Sequence, residues 1–138
     1  MALYTPNTGK LDLLDKMLKK ALSTDESYIL KLYSNNYTPD DSSVPGSFTE
    51  ATFTNYAAVT LTRALWNASV IVSNKAQTSY GSAPQSWTCG ASGNTIYGYY
   101  VVGATSGSVL WAELFATSRV LANLDVLNLT PQFTLNHE

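Results

Sequence analysis

Asn94-Thr-Ile-Tyr-Gly-Tyr-Tyr-Val-Val-Gly-Ala-Thr-Ser-Gly-Ser-Val-Leu-Trp-Ala-Glu-Leu-Phe115 decides how this chain is read. Two apolar, aromatic-rich runs, Ile96 to Val102 and Val109 to Phe115, flank Gly103 to Ser108, where glycine, serine and threonine supply turn chemistry. The pattern predicts a β-hairpin. Strict alternation puts Tyr97, Tyr99 and Val101 on one face of its first strand and Ile96, Gly98, Tyr100 and Val102 on the other. Both faces are apolar, so both must be covered, by a second sheet and a neighbouring element or by another subunit. In the second strand Glu113 interrupts the large apolar row Val109, Trp111 and Phe115. A bare buried carboxylate costs several kcal/mol, so Glu113 is expected at a rim, paired with Arg119 or a backbone donor.

Residues 1–7 read as an extended arm in which Pro6 holds Thr5 away from helical backbone. A helix over 8–22 follows, capped by Asn7 or Thr8. Its apolar stripe runs through Leu11, Leu14, Leu18 and Ala21, widened by Leu13 and Met17. Tyr28 to Tyr33 is the first strand. The fourteen residues from Ser34 to Ser47 form a long loop, and long loops tend to carry function. Tyr56–Thr62, Trp66–Val72, Lys75–Tyr80 and Gln85–Cys89 are further strand candidates, and Ser73-Asn74 is too weak a turn signal to fix register. The last strand, Val126 to Leu135, must tolerate Pro131, which marks an edge, a bulge or a change of sheet. About eight strands after one helix predict a single domain over 1–138, mainly β. Its 28–135 region is expected to be an antiparallel β-sandwich or jelly-roll-like barrel behind one N-terminal amphipathic helix.

A chain of 138 residues can remove about two-thirds of its unfolded surface from water without a disulfide. Its 13% charged residues are about half the usual share, beside 45% hydrophobic ones. Such a surface is cheap to desolvate and suits a protein packed against copies of itself or a partner, although a Ser/Thr-rich extracellular-type coat would look similar. The net charge of −2 argues against nucleic-acid binding. The basic cluster Lys10, Lys16, Lys19 and Lys20 is interleaved with Asp12 and Asp15, as on the solvated side of a helix. No run of residues is long and apolar enough to span a membrane. The N-terminal residues lack the features of a signal peptide, so a cytoplasm, or a particle assembled there, is the expected location. The sequons at Asn36, Asn67 and Asn128 are accordingly read as chance.

Cys89 is the only cysteine and His137 the only histidine. These counts disfavour nucleophilic triads and zinc sites, and no cofactor is expected. Glu50 and Glu113 are the remaining conceivable catalytic pair, of glycosidase type, with nothing in the sequence to bring them together. The chain is therefore read as a non-enzyme. The candidate partner-binding residues are Leu3 and Tyr4 in the arm, whose large apolar groups gain little unless covered, and Tyr37 and Pro39 in the long loop.

Five stretches carry a resemblance: Leu30-Lys-Leu-Tyr-Ser-Asn-Asn36, Phe48-Thr-Glu-Ala-Thr-Phe-Thr-Asn-Tyr-Ala57, Ile96-Tyr-Gly-Tyr-Tyr-Val-Val102, Leu110-Trp-Ala-Glu-Leu-Phe115 and Leu127-Asn-Leu-Thr-Pro-Gln-Phe133. In this order they resemble a family of small virion structural proteins of tailed bacteriophages, cyanophages included. The segment Trp66–Cys89 departs from the pattern, and none of the stretches is a catalytic or metal signature. The resemblance implies a capsid decoration, or cement, protein on the outside of the head. It would be a homotrimer bridging neighbouring copies of the major capsid protein, and would take no nucleic acid and no membrane as partners. The alternative is a neck, tail or fibre module binding a glycan or receptor, with Tyr37, Tyr80 and Trp87 as the rings that would stack on sugars.

Overall fold

The computed structural model describes residues 3–18 and 26–135, with side chains omitted for 14–18. The elements run β1 (Leu3–Tyr4), α1 (Asn7–Leu18), β2 (Tyr28–Tyr33), β3 (Val59–Leu61), β4 (Val70–Val72), β5 (Lys75–Ser79), β6 (Gln85–Thr88), β7 (Thr95–Gly103), β8 (Val109–Val120), β9 (Val126–Leu129) and β10 (Gln132–Leu135), with short 3-10 turns at Pro45–Ser47 and Arg63–Leu65. The protein is mainly β and every strand pairing is antiparallel, with one short N-terminal helix. A five-stranded sheet in the order β1-β8-β7-β2-β3 faces a second layer formed by β10-β5-β4 and β6-β9, a sandwich-like arrangement.

The central hairpin forms as its sequence demands, with Val101 opposite Trp111 and Tyr99 opposite Glu113. Two register shifts reshape it, one between Ile96 and Gly98 and one between Val101 and Val102. Because a bulge exchanges faces, the strict alternation fails at one end. Ile96 joins Tyr99 and Val101 in the core between the layers, while Tyr97 joins Tyr100 and Val102 on the opposite side. The same irregularity carries β8 through to Val120, into residues expected as a connection.

Both faces of the hairpin are buried within one chain. On the inner face Leu30, Leu32, Tyr99, Val101 and Trp111 meet Tyr80, Trp87 and Leu127 of the second layer. On the outer face the long loop folds back. Phe48 stacks flat on Tyr100 at 4.5 Å between ring centroids, and Tyr33 and Tyr37 meet its edge at 5.1 and 5.3 Å. The ground in the sequence for another subunit at this face is thereby removed.

Other boundaries differ for identifiable reasons. The helix begins at Asn7, with the Lys10 amide donating to the Pro6 carbonyl, so Pro6 stands where Asn7 or Thr8 was expected to cap. Residues 19–22 of the expected helix lie outside the described residues, and Leu11, assigned to the apolar stripe, is exposed. Gly9 sits directly on the backbone of Val109 and Leu110; a Cβ there would come within 2.5 Å of both carbonyl oxygens. Tyr56–Thr62 shortens to β3, and Trp66–Val72 leaves only β4, with Trp66 making a lone bridge to Tyr80. Ser73 and Asn74 both adopt positive φ, the two-residue turn that matches strand twist, and this fixes Val72 opposite Lys75. Pro131 marks a change of sheet: β9 pairs with β6, and after the proline β10 pairs with β5. The chain therefore has ten described strands, not eight.

Candidate functional site

Three of the four candidate partner-binding residues converge on one corner. Tyr4 stands opposite Ala112 in the sheet edge that β1 forms along β8. Its phenol pKa is held above the usual value chiefly by its hydrogen bond with the Asp41 carboxylate. Lys10 Nζ lies 2.7 Å from the same carboxylate and 5.8 Å from the centroid of the Tyr4 ring. That contact and the Tyr4 hydroxyl hold the Asp41 carboxyl below its ordinary range. The Asn7 amide adds a hydrogen bond to the Asp41 carbonyl, so arm, helix and loop meet at one residue.

The loop itself is tightly wired. The Asp40 carboxylate accepts from Ser42 Oγ at 2.7 Å and from the Ser42 amide at 2.9 Å, and its pKa is lowered chiefly by that hydroxyl. Tyr37 Oη lies 2.8 Å from Ser43 Oγ, and Asn35 bridges the loop ends, donating to the Ser47 carbonyl and accepting from the Thr49 amide. Pro39 is buried beneath this network and presents no surface to a partner, contrary to the expectation for it. Leu3 is half-buried against the inner core, so it seals its own sheet. Tyr4 and Tyr37 remain half-buried, and the exposed groups of the corner are Lys10, Asp40, Asp41 and Ser42.

The carboxylates considered for catalysis have different hydrogen-bond partners. Glu50 forms a 2.8 Å ion pair with Lys31 and accepts from the Tyr56 hydroxyl at 3.1 Å. Glu113 accepts from the Tyr99 hydroxyl at 2.8 Å, where Arg119 or a backbone donor was expected. Tyr80 and Trp87, proposed as sugar platforms, are core residues: Tyr80 Oη accepts from the Thr62 amide, and the Trp87 indole donates to the Ala57 carbonyl. Cys89 is fully buried, its thiol set against the carbonyls of Gly90 and Ser92.

A surface absent from the sequence reading lies at the other end of the second layer. β4 is the edge of the β10-β5-β4 sheet, and its three residues Val70, Ile71 and Val72 are 54%, 72% and 46% exposed. An unpaired apolar edge is a template for another strand unless it is blunted by charge, proline or a cover. The opposite edge of the same sheet, β10, ends on exposed Leu135, and Leu65 beside the hairpin is exposed as well. Periodicity could have flagged Val70-Ile71-Val72 only as a strand; its edge position follows from the sheet order. Among the described residues no cluster of three or more acidic, histidine or cysteine side chains could hold a metal ion, and no helix is long and apolar enough to cross a membrane. No protein-family model matches the sequence, and no curated protein does.

Proposed function

We propose that this chain is a structural protein of a tailed-phage virion, specifically a capsid decoration protein that bridges neighbouring copies of the major capsid protein on the outside of the head. The resemblance of five ordered stretches motivates the particle. The observation that carries the assembly role is the exposed, unpaired β4 edge, Val70-Ile71-Val72, on a chain with few charges. Such an edge gains main-chain hydrogen bonds and apolar burial only when a second polypeptide covers it. Among the described residues the β10-β5-β4 sheet has two edges of different sequence, and a head-to-tail contact between them would build a ring where the rotation closes, a trimer being the ring we propose. On a repeating shell, weak contacts multiply by avidity, and binding to the closed lattice favours it over its separated pieces.

The test is co-sedimentation of the purified chain with expanded, undecorated heads, beside a glycan array, followed by cryo-electron microscopy of the intact particle. Saturable binding to heads, with density on the outer lattice, supports the reading. Selective glycan binding with no head binding would replace it by the neck, tail or fibre alternative.

A further inference from the structure

β8 and β9 follow each other in the chain but do not pair: β8 stays in the five-stranded sheet, and β9 pairs with β6. A groove of about 340 Å³ is lined by Arg119 and Val120 of β8 and by Asp125, Val126 and Asn128 at the start of β9 and within it. In an antiparallel ladder, successive residues send their main-chain groups alternately to one neighbour and to the other. The Leu121 amide donates to the Asn94 carbonyl at 2.9 Å, so Val120 turns its own amide and carbonyl away from β7. β1 pairs only with Ala112 and Glu113, so among the described residues no strand meets Val120 from the other side. The Cys89 amide donates to the Asp125 carbonyl at 2.8 Å, and by the same alternation Leu127 faces β6 while Val126 and Asn128 face away from it. Among the described residues β9 has no second neighbour. Two strands thus border the groove with main-chain donors and acceptors that no other strand takes up.

The side chains add apolar walls and one unanswered charge. Val120 and Val126 are exposed. The Arg119 guanidinium is exposed and has no ion pair or hydrogen bond among the described residues, and the Asn128 side-chain amide has none either. Asp125 is the one carboxylate of the groove, and its Oδ2 accepts the Ala122 amide at 2.8 Å within the turn. We propose that this groove takes an extended, acidic segment of another protein, which adds a strand to the β9 edge, lays apolar side chains on Val120 and Val126 and sets a carboxylate on Arg119. The outward groups of Val126 and Asn128 repeat at about 6.8 Å, two residues of antiparallel strand, a spacing that a second strand matches and a compact small molecule does not. Main-chain bonds supply affinity in this mode, and the side-chain contacts supply selectivity. A basic segment would leave Arg119 unanswered. A second copy of this chain does not fit either, because among the described residues Glu113 is the only acidic one in a strand, and it is half-buried and bonded to Tyr99. The inference stands apart from the virion reading, since it asks only for an extended acidic segment.

The full-length chain labelled with ¹⁵N is titrated with the peptide acetyl-Thr-Val-Glu-Val-Thr-amide, whose blocked ends leave the glutamate as its only charge. The amide resonances of Val120, Val126 and Asn128 should move and hydrogen exchange at the Val126 and Asn128 amides should slow, while the resonances of Val70, Ile71 and Val72 on the β4 edge stay in place. Exchanging the peptide's glutamate for glutamine should weaken binding about three- to fivefold, the worth of one exposed ion pair. Arg119→Gln should erase that difference. Asn128→Pro removes an outward amide without taking a bond from β6 and should abolish binding; Arg119→Gln carries the test if this variant does not fold. The proposal is overturned if a lysine peptide binds as tightly as the glutamate peptide, or if Arg119→Gln keeps the preference for glutamate. It is equally overturned if the shifts fall on Val70, Ile71 and Val72, or if no amide of the groove moves at millimolar peptide.

Discussion

Glu26 sits inside the protein and receives the amides of Thr105 and Ser106 at 2.7 and 3.0 Å, together with the Ser106 hydroxyl at 3.3 Å. The turn of the central hairpin is thus fastened to Glu26, two residues before β2. Hydrogen bonds to a buried charge are worth about 1.5 to 3 kcal/mol, and their loss leaves donors unsatisfied. Glu26→Ala should therefore cost about 2 to 4 kcal/mol in urea unfolding, and a loss below about 0.5 kcal/mol, the scatter of neutral surface changes, would show that the turn holds itself. The tyrosines make a second prediction. Burial raises the phenols of Tyr33, Tyr56 and Tyr99, and pushes Tyr100 to about 12. Because the folded chain keeps these protons after the unfolded chain releases them near pH 10, stability should be flat below that pH and fall above it. Each group adds up to about 1.4 kcal/mol per pH unit to the fall until its folded pKa is reached. Thermal melts from pH 8 to 11.5 check the sign, and Tyr100→Phe should make the fall shallower. Little of this was legible in the sequence. Glu26 is separated by 79 residues from Thr105, and Glu113 has Arg119 as a nearer candidate than Tyr99 until register sets Tyr99 opposite it.

At the scale of elements, sequence reading succeeds where a signal is local. Tyr28–Tyr33, the hairpin and the break at Pro131 all lie where their residues put them. It fails where geometry depends on a distant partner, as at the bulge that exchanges Ile96 and Tyr97 or at β4, an edge strand with no polar face. The arm shows the difference most plainly. Its extended backbone follows from Pro6, but its destination does not: β1 pairs with β8, Leu3 opposite Glu113, and so completes its own sheet. Deleting residues 1–5 removes a half-buried leucine and an edge pairing, an expected loss of about 1 to 3 kcal/mol, read as a melting temperature lower by several degrees. An unchanged melting temperature, with loss of head binding, would return the arm to the attachment role that its apolar residues suggest. Gly9 tests the same corner from the helix. Gly9→Ala pushes a methyl group into the Val109 and Leu110 carbonyls, so the usual helix gain from alanine, about 1 kcal/mol, should be reversed into a net loss in urea unfolding.

For the whole molecule, the question is what a chain with so few charges leaves uncovered. The two-sided hairpin needs cover from a second sheet and a neighbouring element or from another subunit, and the loop over Tyr100 and the second layer over Trp111 cover both faces within one chain. Among the described residues several large apolar groups stay open, Val120, Leu124 and Leu135 included, and β4 is the strand whose three residues are all among them. Among the described residues only β5 pairs with it, across the Ser73-Asn74 turn. A lysine at its centre would blunt that edge in the way many soluble β proteins do. Ile71→Lys should therefore leave the melting temperature nearly unchanged, since the residue is 72% exposed, while dissociating the assembly. Light scattering at micromolar concentration should give about three times the 15.0 kDa chain mass for the parent and about the chain mass for the variant. A parent already at the chain mass would remove the trimer and leave head binding to be explained by a monomer. A variant that stays assembled would move the contact away from β4, and Leu135 on the opposite edge would be the next position to charge.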